Sequence, residues 1–224
     1  KQTLKKNIED YVFHKKNFLD DDFCEKAISD LNTCKWKKHG WYIPTTSLPV
    51  FENIPPAGVE KESEVIDIEK MHPATYAGDL IQSGDPEMTL QNKVEDLNDV
   101  IIKKLRGALE EYVRGLDFYW FSGWEGYTGI KFIRYFPGQE MKVHCDHIHS
   151  MFDGVRKGVP ILSIIGHLND DYEGGETYMF DDKDGDLLET EKGDLYVFPS
   201  CFLFPHYVTP VTKGTRYSYV SWVW

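Results

Sequence analysis

The sequence predicts a mainly β fold with N-terminal helices, an α+β chain in which a β sandwich or barrel is braced by helices. Three observations carry this. Apolar residues recur at three-to-four-residue spacing in two stretches, both within the first 116 residues. After Phe118 the pattern changes to short β-branched and aromatic segments separated by Gly, Pro and Asp. Finally, 224 residues with 41 % hydrophobic and 14 % aromatic content can bury a sizeable core. At this length one large domain and two small ones are both compatible with the chain.

The elements follow in order. Asp20, Asp21 and Asp22 supply capping carboxylates ahead of Phe23, Ala27, Ile28 and Leu31, so a helix is expected over about 21–31. From 35 to 90 the periodicity fails. Pro44, Pro49, Pro55, Pro56, Pro73 and Pro86 punctuate the region, and runs such as Val65-Ile66-Asp67-Ile68 allow only brief strands. A long irregular insertion is expected there, either a lid over a site or a surface wrap. Val94, Leu97, Ile101, Leu105, Ala108, Leu109, Tyr112 and Val113 then mark one face of a long amphipathic helix over 91–116, suited to lie across a sheet. Strands are expected near 128–136, 141–146, 161–169, 176–180, 194–198, 204–209 and 215–223.

The net charge of −12, from 25 basic and 37 acidic residues, excludes binding of nucleic acid or another polyanion by bulk charge. No apolar run approaches the roughly 20 residues of a membrane-spanning helix. Cys24, Cys34, Cys145 and Cys201 form no CxxC pair and are too sparse for a disulfide scaffold, which points to a reducing, cytoplasmic setting. The acidic run Asp181–Asp186 lacks the flanking helices of a calcium loop and reads as a turn between strands.

The densest chemical feature is Val143-His144-Cys145-Asp146-His147-Ile148-His149, three of the chain's eight histidines within six positions. On extended backbone, residues i and i+2 point to one side, so His144 and Asp146 can offer an imidazole nitrogen and a carboxylate oxygen to one metal. An HxD pair alone is common without any metal, and a third ligand is needed. His206, in the β-like run Phe204-Pro205-His206-Tyr207-Val208, is the best candidate. Two His and one carboxylate leave coordination positions open, the arrangement of non-haem Fe(II) oxygenases. Arg216 and Ser218 share a strand face further on and suit the capture of a carboxylate, although an ordinary ion pair is the alternative for Arg216. Tyr135, on the strand before His144, has a phenol able to donate to an anionic group. His147 and His149 read as loop histidines beside the site, and Cys145 should point away from the metal.

In the order Arg134-Tyr135-Phe136-Pro137-Gly138-Gln139, His144-Cys145-Asp146, Leu168-Asn169-Asp170-Asp171-Tyr172-Glu173-Gly174-Gly175-Glu176-Thr177, Lys192-Gly193-Asp194, Phe198-Pro199-Ser200, Pro205-His206-Tyr207-Val208-Thr209-Pro210-Val211 and Gly214-Thr215-Arg216-Tyr217-Ser218, the sequence resembles the Fe(II)- and 2-oxoglutarate-dependent oxygenases, in their prolyl 4-hydroxylase-like branch. The resemblance spans about 117–224. It implies a double-stranded β-helix, a jelly-roll barrel braced by helices. The chain is then one oxygenase domain over 1–224, with a helical and irregular support region over 1–116 and the catalytic core over 117–224. Metal ligands implied are His144, Asp146 and His206. Arg216, with Tyr135 and Ser218, is implied to hold the distal carboxylate of 2-oxoglutarate. Prolyl 4-hydroxylases usually have Lys at the position of Arg216, while Arg is common elsewhere in the superfamily. His167 stands where relatives often carry Tyr near the cosubstrate, and Trp222 matches an aromatic lining the family's pocket.

The activity implied is hydroxylation of an unactivated C–H with Fe(II), 2-oxoglutarate and O2, releasing succinate and CO2, with ascorbate as an auxiliary reductant. The substrate implied is a prolyl residue in a peptide or protein. A small molecule or free amino acid is the alternative within the same superfamily, and a non-enzymatic metal-binding barrel is the alternative outside it. Arg216, Ser218 and Tyr135 argue against the last, since a simple metal binder needs no carboxylate clamp.

Overall fold

The structure, a computed structural model, describes residues 7–34, 36–38, 75–77, 85–121, 123–124, 126–146, 160–181 and 185–224. Most of the expected 35–90 insertion, including the run Val65–Ile68, lies outside these residues, as do His147 and His149.

Helix α1 (Asp21–Leu31) starts where the aspartates place it: the Asp20 carboxylate accepts a hydrogen bond from the Phe23 backbone N–H at 2.9 Å. Helix α2 (Asp85–Leu116) begins six residues earlier than its apolar pattern indicates. Pro86, which the sequence pattern assigns to the irregular region, is the second residue of the helix. There its missing N–H costs nothing, because first-turn N–H groups have no intrahelical acceptor.

The described strands are β1 (Phe13–Lys15), β2 (Lys37–Lys38), β3 (Thr75–Ala77), β4 (Lys131–Tyr135), β5 (Met141–His144), β6 (Leu162–His167), β7 (Glu173–Gly174), β8 (Thr177–Met179), β9 (Asp186–Leu188), β10 (Leu195–Pro199), β11 (His206–Val208), β12 (Val211–Lys213) and β13 (Arg216–Val223). Seven form one sheet in the order β1-β10-β6-β13-β4-β3-β2, four form a second in the order β5-β11-β8-β9, and β12 pairs with β7. The protein is thus mostly β with few helices, as the sequence predicts. The short strands β1, β7, β9 and β12 escape sequence reading because two or three residues carry no measurable alternation.

Alternation along the large sheet separates two environments. One face packs against the helices: Phe132, Ile164, Val197, Tyr219 and Val223 share a buried cluster with Cys24, Ala27 and Leu31 of α1 and Leu97, Ile101, Leu105 and Leu109 of α2. The opposite face carries Ile133, Tyr135, Ile165, Ser218, Val220 and Trp222, which line a cavity together with His144, His206 and Val208 of the four-stranded sheet. The helices therefore stiffen the sheet from behind while its other face is left for a site.

One glycine is dictated by this packing. Gly166 pairs directly with Tyr219 across β6 and β13, and a Cβ built on it would lie 1.9 Å from Tyr219 Cζ. The phenol ring lies across bare backbone. Gly166→Ala is expected to lower unfolding stability by about 3 kcal/mol, the upper part of the range for overpacked cores. The check is a urea midpoint that falls at unchanged slope; an unchanged midpoint would show that the ring has room to move.

Candidate metal centre

Antiparallel pairing places His144 of β5 directly opposite His206 of β11. Opposed residues share a sheet face at close Cβ spacing, and the two imidazoles sit with centroids 4.3 Å apart. Strand β5 ends at His144 rather than running on, and the backbone bends at Asp146. The Asp146 carboxylate arrives on the same side: its Oδ1 is 3.5 Å from His144 Nε2 and 3.8 Å from His206 Nε2. The three candidate ligand atoms all lie within 4.8 Å of one another.

The protonation states suit a cation. Burial drives the His206 imidazole down to about 4, and His144 adds to this, against the opposing pull of Asp146 and of the Phe204 carbonyl. His206 Nδ1 lies 3.2 Å from that carbonyl, so a proton on Nδ1 leaves the Nε2 lone pair facing Asp146. For Asp146 burial acts to raise the pKa, but His206 and His144, with a hydrogen bond from Ser163, outweigh it and hold the carboxyl well below the usual range. The set therefore offers one carboxylate and neutral imidazole nitrogen in a buried place. Cys145 turns elsewhere, its thiol donating to the Phe202 carbonyl at 3.6 Å.

Arg216 opens β13 and is 1 % exposed. Its Nη1 donates to Ser218 Oγ at 3.0 Å and its Nη2 to Thr177 Oγ1 at 3.2 Å, while its guanidinium carbon lies 4.9 Å from the Tyr135 ring centroid. Among the described residues no carboxylate pairs with it, and its Nε has no hydrogen-bond partner. A buried cation without a counter-charge is costly unless something anionic joins it. Ser218 accepts from Arg216 and so keeps its own O–H to donate. Tyr135 is buried beneath the guanidinium, and burial raises its phenol pKa against the lowering effect of Arg216, so the group stays a neutral donor.

Of the residues singled out from sequence, His144, Asp146, His206, Arg216, Ser218, Tyr135 and Trp222 line one cavity of about 510 Å3, counting its open mouth. Trp222 Nε1 is buried without a partner among the described residues. His167 does not line this cavity. It stands beside it, paired with Ser218 across the strands and edge-on to Tyr196, with both ring nitrogens unpartnered among the described residues. Burial first, then Arg216 and His14, keep its imidazole neutral.

Sequence reasoning missed two contributors, Thr177 and Gly175. Gly175 has φ +70°, and a Cβ there would meet Val211 Cγ2 at 2.9 Å and Arg216 Cδ at 3.2 Å, so the glycine makes room for the arginine stem. Thr177 faces inward with Met179, a signal present in the alternation of β8 but too short to read without its partner strands.

A family profile described as the 2OG-Fe(II) oxygenase superfamily matches residues 130–224, the stretch that holds all three candidate ligands and Arg216. The chain is also 34 % identical over 90 residues to a PKHD-type hydroxylase of Idiomarina loihiensis, covering 40 % of this chain and 39 % of that one. It is 37 % identical over 94 residues to a PKHD-type hydroxylase of Shewanella oneidensis, covering 41 % of each. The chain thus spans about two fifths of the length of the curated relatives it matches.

Similarity of fold extends much further along the chain. A Trichoplax adhaerens prolyl hydroxylase, solved with a hypoxia inducible factor oxygen degradation domain peptide fragment, superposes with a TM-score of 0.59 at 15 % identity, over 96 % of this chain and 84 % of that one. A Pseudomonas putida prolyl-4-hydroxylase gives a TM-score of 0.54 at 19 % identity, over 95 % and 92 %. At these identities the likeness is one of fold. Among the described residues no helix is long and apolar enough to cross a membrane.

Proposed function

We propose that the protein is an Fe(II)- and 2-oxoglutarate-dependent dioxygenase that hydroxylates a prolyl residue in a peptide or protein. The observation that carries this reading is the convergence on one cavity of a two-histidine, one-carboxylate set and a buried arginine with no counter-charge among the described residues. The donor set suits Fe(II), a metal accepted by imidazole and carboxylate together. The buried Arg216, flanked by Ser218 and Tyr135, suits the distal carboxylate of the cosubstrate.

In this reading the two sheets are walls of a double-stranded β-helix. Residues 1–116 and 117–224 act as one domain, a view supported by the single buried cluster that joins α1, α2 and the large sheet. His144, Asp146 and His206 would hold Fe(II). The bound iron would supply the oxidising chemistry, coupling decarboxylation of 2-oxoglutarate by O2 to hydroxylation of the substrate with release of succinate and CO2. The protein's own residues do the rest. His206 is oriented by the Phe204 carbonyl, Arg216 fixes the cosubstrate's anionic end, and Ile133, Ile165, Val208 and Val220 wall the cavity with apolar surface that limits water. His167, neutral and without a hydrogen-bond partner among the described residues, stands beside Ser218 at the edge of the site.

The prolyl assignment is supported by the prolyl hydroxylases among the similar folds. Its test is incubation of the protein with Fe(II), 2-oxoglutarate, ascorbate and a panel of proline-containing peptides and free amino acids. A peptide that gains one oxygen on proline, with matching succinate, is the expected result. Oxygen gained only by free metabolites would move the assignment to a small-molecule hydroxylase, and absence of any 2-oxoglutarate turnover would remove the oxygenase reading itself.

A further inference from the structure

We propose that the turn Cys201–Phe204 is a docking rim for the substrate peptide, on which the exposed Phe202 and Leu203 select an apolar side chain close to the target proline; the inference rests on the prolyl reading above. The turn joins β10 of the seven-stranded sheet to β11 of the four-stranded sheet, so it crosses from one wall of the cavity to the other. It does so at the metal end. His206 opens the strand that follows, and the Phe202 carbonyl accepts from the thiol of Cys145, the residue between His144 and Asp146, at 3.6 Å. The far end of the cavity is closed by the buried Arg216 and Ser218, whereas His144 is partly exposed. A substrate therefore enters where the turn stands, and a peptide that brings a C–H to the metal runs on past it.

Turn tips are ordinarily built from Gly, Asn, Asp, Ser and Pro, and this one reads Cys-Phe-Leu-Phe. The Phe204 N–H donates to the Cys201 carbonyl at 3.0 Å, closing the turn. The Phe204 ring is buried, with Phe180 and Phe198 at centroid distances of 5.8 and 6.5 Å. That ring anchors the turn, while Phe202 and Leu203 are 69 % and 50 % exposed and belong to none of the buried apolar clusters. Ile161, whose carbonyl accepts from the Ser200 N–H at 3.1 Å, is exposed as well. Apolar side chains on adjoining segments around one opening gain by being covered with another apolar group. An extended peptide advances about 3.3 Å per residue and sends alternate side chains to opposite sides. With its proline at the metal, a side chain within a few residues lies over the turn. A charged side chain in that place would give up water for no partner, and an apolar one is favoured.

The test is a synthetic peptide library with one fixed proline and randomised flanks, incubated with the protein, Fe(II), 2-oxoglutarate and ascorbate, and read by mass spectrometry for peptides that gain one oxygen. Leu, Ile, Phe and Met are expected to be enriched severalfold at one flanking position. The best peptide and its copy with Ser at that position are then compared kinetically. The copy should lose about tenfold in kcat/KM, the scale of covering one exposed apolar side chain, and the loss should lie in KM. Phe202→Ser and Leu203→Ser should each weaken the best peptide through KM and leave the Ser copy little changed, so that the preference narrows. Phe202→Leu should restore the preference. Calorimetric affinity for 2-oxoglutarate and the thermal midpoint should stay at wild-type values in all three. Should a variant fold poorly, the paired peptides on the wild type still decide whether an apolar flank is selected. Products with no apolar preference at any flank, or a preference that survives both Ser variants unchanged, overturn the rim and leave the prolyl reading intact. A library that yields no hydroxylated proline removes the prolyl reading, and the rim with it.

Discussion

Asp146→Ala protein, reconstituted with Fe(II) under nitrogen and desalted, is expected to retain almost no iron and to show no 2-oxoglutarate turnover. Asp146 supplies the only carboxylate of the candidate ligand set, and its oxygen lies within 3.8 Å of both Nε2 atoms. Removing it leaves two imidazoles, with no negative charge to offset a dication in a buried site. The drop in metal affinity should exceed about 100-fold, more than loss of an outer-shell partner costs. His144→Ala should act in the same direction, because the remaining pair spans only one edge of the site. Both variants should fold, since neither side chain belongs to a buried apolar cluster; circular dichroism and thermal melting provide that control. Wild-type iron content in both variants would dismiss these residues as metal ligands.

Arg216→Ala is expected to separate stability from cosubstrate binding. In the protein without cosubstrate, Arg216 is a fully buried cation whose hydrogen-bond partners are neutral hydroxyls. Burying a charge without a counter-ion is unfavourable, so its removal should leave the thermal midpoint unchanged or higher despite the lost packing. Binding should respond in the opposite way. A buried guanidinium–carboxylate pair broken on one side costs about 3 kcal/mol or more, so the Kd for 2-oxoglutarate should rise more than 100-fold. The stabilisation that 2-oxoglutarate confers on the wild type in a melting experiment should vanish in the variant. Arg216→Lys should fall between the two, since an ammonium keeps the charge but not the fork. A variant that melts earlier yet binds 2-oxoglutarate as the wild type does would make Arg216 a structural residue.

How much of this was legible in the chain differs from element to element. Helix α1 could be read because its capping aspartates and apolar positions are neighbours in sequence, and the centre of α2 because its apolar period persists for six turns or so. The start of α2 could not, since Pro86 is compatible with both a breaker and a first helical turn. His144 and Asp146 were recognisable from their spacing, whereas His206 could be chosen among eight histidines only through a β-like setting and a family resemblance. Thr177 carried no signal of its own. A threonine on an inward strand position is ordinary until the strand opposite is known.

By itself the sequence determined which residues alternate, where helices can form, and which side chains bring metal-binding and carboxylate-binding chemistry. These are local properties, governed by backbone geometry over a few residues. Only the tertiary structure decided that His206 faces His144, that Asp146 turns in beside them, and that Arg216 lies buried between Ser218 and Thr177. Strand register has this power because a slip of one residue sends every side chain to the other face of the sheet. Register is settled by burial of the whole molecule, so no single segment encodes the site that the pairing of β5, β8, β11 and β13 creates.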